Sequence, residues 1–127
     1  MVAVHEQTGN GEHDACLMGW STGNADPDNF LYTLLDKDNA NPPNANNLSF
    51  YRSEPLHALL IQAQQESDQT KRIEVYKQAQ RIIHEDCPMI PLVSLEMATG
   101  LGPRVKEYQL HPTGIVFLRN VKLATEK

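Results

Sequence analysis

Apolar positions change their spacing several times along the chain, and each change predicts a different element. Ala15, Cys16, Leu17 and Met18, closed by Gly19-Trp20, form a short apolar run bounded by Asp14 and a polar turn. That pattern predicts a buried strand ending near Trp20. Ser21-Thr22-Gly23-Asn24-Ala25-Asp26-Pro27-Asp28-Asn29 is rich in turn formers, and Pro27 biases Asp26 away from helical angles, so a shaped loop should follow the strand. Phe30, Leu31, Leu34 and Leu35 then recur at helical spacing, with Asp28 or Asn29 available as a cap, which predicts a helix of about two turns. The next twelve positions, DKDNANPPNANN from Asp36 to Asn47, hold five Asn and two adjacent Pro. Such a composition resists regular structure and reads as a surface loop.

Ser53-Glu54-Pro55 opens a helix well: a serine cap, an acid in the first turn, and a proline where its missing N–H costs nothing. Leu56, Leu59, Leu60 and Ala63 fall on one face of it, while glutamines and Glu66 occupy the rest. Asp68 can cap a second helix that points Ile73, Tyr76, Ala79, Ile82 and Ile83 inward and ends before Pro88. The short Ser67-Asp68 link implies an antiparallel helical hairpin. After Pro88 the chain becomes apolar and extended: Met89 to Leu95, Val105 to Leu110, Ile115 to Leu118 and Val121 to Leu123 are strand candidates, punctuated by Pro91 and Pro112-Thr113-Gly114. The order is therefore strand, loop, three helices, then extended segments, an α/β or α+β pattern without internal repeat.

Composition narrows the chemistry. A chain of 127 residues supports one small core, too little for a two-lobed enzyme. Eleven Lys and Arg against 16 Asp and Glu leave a formal charge of -5, with no basic face for a nucleic acid backbone. No apolar run approaches the roughly 18 residues of a membrane span. The start, MVAVHEQTGNGEHD, lacks a basic n-region and an apolar h-region, so no secretory signal is expected in this chain itself. Cys16 and Cys87 do not make a disulfide framework and read as reduced, partly buried thiols. His84-Glu85-Asp86-Cys87 is a dense cluster of possible ligands, but one cluster cannot close a zinc site unaided, so no metal and no cofactor is expected. His5, His13, His57, His84 and His111 are scattered without i, i+4 pairing. Asp26 and Asp28 read as turn and cap residues rather than an acid/base pair. Asn47-Leu48-Ser49 matches a glycosylation sequon, a pattern common by chance. With no nucleophile elbow, phosphate loop or dinucleotide fingerprint, no enzyme activity is expected. Trp20, the only tryptophan, suits either a core position or a ligand-facing one, because it ends an apolar run and opens a polar loop.

Several of these segments together resemble a known family. Gly11-Glu12-His13-Asp14, Met18-Gly19-Trp20 and Asp26-Pro27-Asp28-Asn29-Phe30 resemble, in order and spacing, the C-terminal third of the dipeptide- and oligopeptide-binding proteins of ABC importers, solute-binding protein family 5. Arg72-x-x-x-Tyr76-x-x-Ala79-Gln80, Pro88-x-Ile90-Pro91-Leu92, Val105-x-x-Tyr108 and Pro112-x-Gly114 continue the likeness, which runs from about Gly9 to Leu123. The resemblance implies a fragment of a two-lobed, periplasmic-binding-protein-like fold. Residues 1–88 would belong to the C-terminal lobe, and 89–127 would form a tail crossing back toward the other lobe. It also implies solute capture outside the cytoplasmic membrane, with peptides or peptide-like solutes as ligands and a transporter permease as the partner of the full-length parent. Unpaired tail strands would favour a homo-oligomer or a domain swap. The alternatives are a self-associating structural fragment without a ligand, and a binder of some other polar solute.

By the same resemblance the ligand-binding residues are Trp20, Ser21, Thr22, Gly23 and Asn24, with Trp20 lining the pocket. Three residues after that tryptophan the family places an aspartate that receives the ligand's α-amino group, and here the position is Gly23. The departure removes a carboxylate whose buried pairing costs about 3–5 kcal/mol to break. Ser21, Thr22 and Asn24 remain as hydroxyl and amide partners for neutral or blocked groups. The cysteine pair that some relatives place around the Asn-rich loop is also absent.

Overall fold

The three expected helices form because each has a cap and one apolar stripe. The computed structural model describes residues 2–94 and 96–124, with side chains from His5 onward. Helix α1 spans Val2–Asn10, α2 Pro27–Leu35, α3 Glu54–Gln65 and α4 Gln69–Asp86, and two short strands, β1 (Val105–Lys106) and β2 (Lys122–Leu123), come last. Ser53 Oγ accepts the Leu56 amide at the start of α3, and Asp68 accepts the Thr70 and Lys71 amides at the start of α4. At α2 the cap is Asp26, whose carboxylate accepts the Asp28 amide, rather than Asp28 or Asn29. Pro27 decides this, since it holds the residue before it in the extended region that a cap requires.

The chain divides into two compact units, Met1–Trp20 with Asp26–Pro91, and Ser21–Ala25 with Leu92–Lys127. In the first, α3 packs against both α2 and α4. Its core is Leu31 and Leu35 from α2, Leu56, Leu60 and Ala63 from α3, and Val75, Tyr76 and Ala79 from α4. Leu59, Ile82 and Ile83 are partly buried against it. The α4 stripe is rotated relative to the sequence reading: Val75 is buried, whereas Ile73 is 45% exposed. The inward position of that first turn is taken by Arg72, which finds polar partners between helices.

Helix α1 has no counterpart in the hydrophobic pattern. It ends where Gly11, at φ 77°, reverses the chain. The Gly11 amide donates to Thr8 O and the Glu12 amide to Gln7 O, the paired bonds of a glycine-closed helix end.

The Asn-rich segment is not a solvated loop. Ala40, Ala45 and Asn47 are buried, and a 3-10 turn at Lys37–Asn39 is capped by Asp36. Asn47 Nδ2 donates to Asp36 O at 3.0 Å and to Tyr51 O at 2.9 Å, and Ser49 Oγ donates to Asn47 Oδ1 at 2.8 Å. Asn47 amide N and Asn46 amide N both donate to Asn39 O. The asparagines thus supply the hydrogen bonds that regular structure would otherwise provide. A side chain so enclosed cannot present the sequon to a glycosylating enzyme in the folded state.

Four strand expectations change. Residues 15–20 carry no strand, and all six are exposed, Leu17 at 83%. In the second unit β1 pairs antiparallel with β2, Val105 opposite Leu123 and Lys106 opposite Lys122. The segments 107–110 and 115–118 are not strands, nor is the described part of Met89 to Leu95; Leu95 itself lies outside the described residues. The described chain is therefore mainly helical with one two-stranded sheet, not an α/β sheet fold in itself. A strand exists only where a neighbour takes its N–H and C=O groups, and these segments have apolar side chains but no strand partner among the described residues. Both cysteines are free and exposed, contrary to the expected burial.

Candidate functional site

The polar loop expected to meet a ligand is approached by an extended run. His13 fixes the start of that run: its Nε2 lies 3.0 Å from Leu48 O, and its ring stands 6.3 Å from that of Phe50. Residues 14–20 are exposed, and Trp20 is 42% exposed, so it is not a core tryptophan of the helical unit. Ser21, Gly23 and Asn24 are exposed and Thr22 is half-buried. Ser21 to Asn24 fall in one compact unit and Trp20 in the other. Gly23 has neither a left-handed φ nor any atom within 4 Å of where a Cβ would stand. Backbone geometry therefore does not demand glycine at this position.

The chain leaves the loop through Ala25, at φ 55°, into Asp26. Arg72 donates to both carboxylate oxygens of Asp26, Nη1 to Oδ2 at 3.0 Å and Nη2 to Oδ1 at 2.8 Å. The Arg72 hydrogen bonds hold the Asp26 carboxyl below the usual carboxylate range, against an opposing desolvation effect. Burial pushes the Tyr76 hydroxyl above its ordinary value although Arg72 beside it acts the other way. In the sequence Asp26 reads as a turn residue and Arg72 only as a solvated residue of its helix and part of a family-like motif with Tyr76, not as a partner of Asp26. The two are 46 positions apart, and no periodicity relates them.

One group of possible metal ligands converges among the described residues: Asp36, Asp38 and His57, with ligand atoms within 4.8 Å of one another. Each is already committed. His57 Nδ1 lies 3.1 and 2.9 Å from the two Asp36 carboxylate oxygens, Asp36 Oδ1 accepts the Asp38 amide, and Asp38 Oδ2 accepts the Tyr32 hydroxyl. The arrangement caps the 3-10 turn and orients His57. The cluster noted in the sequence, His84-Glu85-Asp86-Cys87, does not converge: Asp86 accepts the Tyr51 hydroxyl, and Cys87, at φ 48°, closes α4 with its thiol toward Met89 O. Asp26 and Asp28 serve as cap and as acceptor for Gln64, not as an acid/base pair.

No family model matches the chain. It is 39% identical over 102 residues to di/tripeptide-binding protein 3 of Pseudomonas aeruginosa, covering 80% of this chain and 19% of that protein. It is 42% identical over 104 residues to heme-binding protein A of Haemophilus influenzae, covering 82% of this chain and 18% of that protein. Among solved structures it superposes with a TM-score of 0.74 and 40% identity on the ABC transporter-associated periplasmic binding protein DppA from Helicobacter pylori in complex with peptide STSA, over 96% of this chain and 24% of that one. The chain thus spans about a fifth of the length of the curated relatives it matches.

Proposed function

We propose that this chain, a homologue of the dipeptide- and oligopeptide-binding proteins of solute-binding protein family 5, forms part of the solute-capturing component of an ABC importer and meets a peptide or peptide-like solute at Trp20 to Asn24. Its homologues are solute-binding proteins and not enzymes. The observation that carries the reading is an exposed lone tryptophan leading into a polar loop whose exit is fastened at Asp26, in a chain that superposes on a structure holding a peptide. Trp20 supplies an apolar face, and Ser21, Thr22 and Asn24 supply donors and acceptors for a peptide backbone. Without a carboxylate at Gly23, the loop favours neutral or blocked ends over a free ammonium. In this proposal residues 1–88 belong to one lobe and 89–127 to a crossing tail. Capture takes place outside the cytoplasmic membrane, and the transporter permease is met through the longer protein.

The test follows Trp20 emission while the chain is titrated with short peptides, free and N-acetylated, and with hemin, because one relative is named for heme. A saturable change that is lost when Ser21, Thr22 and Asn24 are replaced by alanine supports the loop as the site. A flat response to the peptides overturns peptide capture by this chain. A second reading, self-association, is favoured by the exposed apolar residues Ile90, Leu92, Val93, Val116, Phe117 and Leu118 of the tail. A strictly monomeric species in sedimentation at high concentration overturns that reading.

A further inference from the structure

The second unit holds a cleft built entirely from the segment that joins β1 to β2. It offers about 240 Å³ among Glu107, Leu110, His111, Phe117, Arg119 and Asn120. Two turns shape it: the Gly114 amide donates to His111 O at 2.9 Å, and the Val121 amide donates to Leu118 O at 3.1 Å. Glu107, at φ 60°, leads the chain out of β1, and its carboxylate is balanced by Lys122 Nζ at 2.7 Å. The Phe117 ring stands edge-on to His111 with centres 5.1 Å apart, and it keeps 54% of its surface exposed.

Two donors of this cleft lack acceptors. Arg119 makes no hydrogen bond or ion pair among the described residues. The Thr113 amide donates to His111 Nδ1 at 3.3 Å, and an amide N–H can only donate, so Nδ1 is the acceptor and the neutral ring carries its proton on Nε2. Thr113 Oγ1, 2.7 Å from Nδ1, completes that side of the ring, and Nε2 has no partner among the described residues. With Glu107 matched by Lys122, Arg119 leaves one uncompensated positive charge, and a second negative charge on a ligand would meet the Glu107 carboxylate. The space equals about eight waters at about 30 Å³ each, room for about ten non-hydrogen atoms and less than a drug-sized pocket. We propose that this cleft binds a small aromatic monocarboxylate: Arg119 pairs with the carboxylate, His111 Nε2 donates to it, and the ligand ring lies against Phe117 and Leu110. The site uses none of the residues of the Trp20 to Asn24 loop and does not rest on the function proposed for that loop.

The full chain is titrated with phenylacetate while its amide ¹H–¹⁵N shifts are followed. Acetate, which lacks the ring, and 2-phenylethanol, which lacks the carboxylate, are titrated beside it. Phenylacetate is expected to give saturable shifts confined to positions 107–121, with a Kd about fivefold below that of 2-phenylethanol, the upper range for one exposed charge pair, and below that of acetate. Arg119→Gln, a change at an exposed and unpartnered side chain, should remove the advantage over 2-phenylethanol and leave 2-phenylethanol itself unaffected. Phe117→Ala should weaken both ring-bearing probes. No saturable shift at 107–121, shifts centred on other residues, or equal affinity for phenylacetate and 2-phenylethanol each overturn the proposal. So does an Arg119→Gln chain that binds phenylacetate as the parent does. A failed peptide titration at Trp20 would overturn the proposed function and leave this measurement standing.

Discussion

Asn47 offers the sharpest test of how the helical unit is held together, because it is a polar side chain with no exposed surface in a segment whose composition reads as loop. Replacing it with alanine removes three hydrogen bonds, and their costs differ. Asp36 O keeps the bond it accepts from the Asn39 amide, so its loss is about 1 kcal/mol. Tyr51 O has no other hydrogen bond among the described residues, and leaving it without a donor costs about 1–3 kcal/mol. Ser49 is exposed and turns to water at almost no cost. The sum is about 2–4 kcal/mol, a large share of the roughly 5–15 kcal/mol that holds a small domain. Urea denaturation followed by far-UV circular dichroism should then show a midpoint lowered by about 1–2 M at an unchanged slope. Trp20 emission is the wrong probe, since that residue lies outside the core. Asn47→Asp should be at least as harmful, because a carboxylate turned toward two carbonyls accepts where a donor is needed. A midpoint within about 0.2 M of the parent for both variants would refute the claim that this side chain closes the unit.

Gly9→Ala would place a Cβ 2.9 Å from Pro43 O, a backbone atom with little room to move, and should cost about 1–3 kcal/mol by thermal unfolding; an unchanged melting temperature would show that α1 does not seat against the Asn-rich segment. Asp26 is held below its ordinary value in the folded state, so the unfolded chain binds the proton more readily. Its contribution is complete above the unfolded carboxylate range and disappears as pH falls through the folded value. The stability difference between the parent and Asp26→Asn should accordingly be present at neutral pH and shrink in acid, and a pH-independent difference would break the assignment. Because Gly23 has open space around its missing Cβ, Gly23→Asp should fold normally and shift preference toward peptides with a free N-terminus over their acetylated forms by up to about fivefold, the scale of one exposed charge pair. Equal affinity for the two would remove the proposed meaning of glycine at that position.

Local rules determined much of this chain. The caps at Ser53 and Asp68, the apolar stripe of α3 and the link between α3 and α4 need only neighbours a few residues away, and sequence reasoning found them. The likeness to peptide-binding proteins was legible in the same way, from short motifs in order. Tertiary structure alone decided the rest. Arg72 and Asp26 meet across 46 positions, and Asn47 finds Asp36 across 11, distances at which spacing carries no signal. Helix α1 lacks an apolar stripe strong enough to announce it. The segments 15–20, 107–110 and 115–118 have the composition of strands, but a strand is a property of two segments. Apolar alternation prepares a segment for a sheet, and only a partner's backbone makes it one.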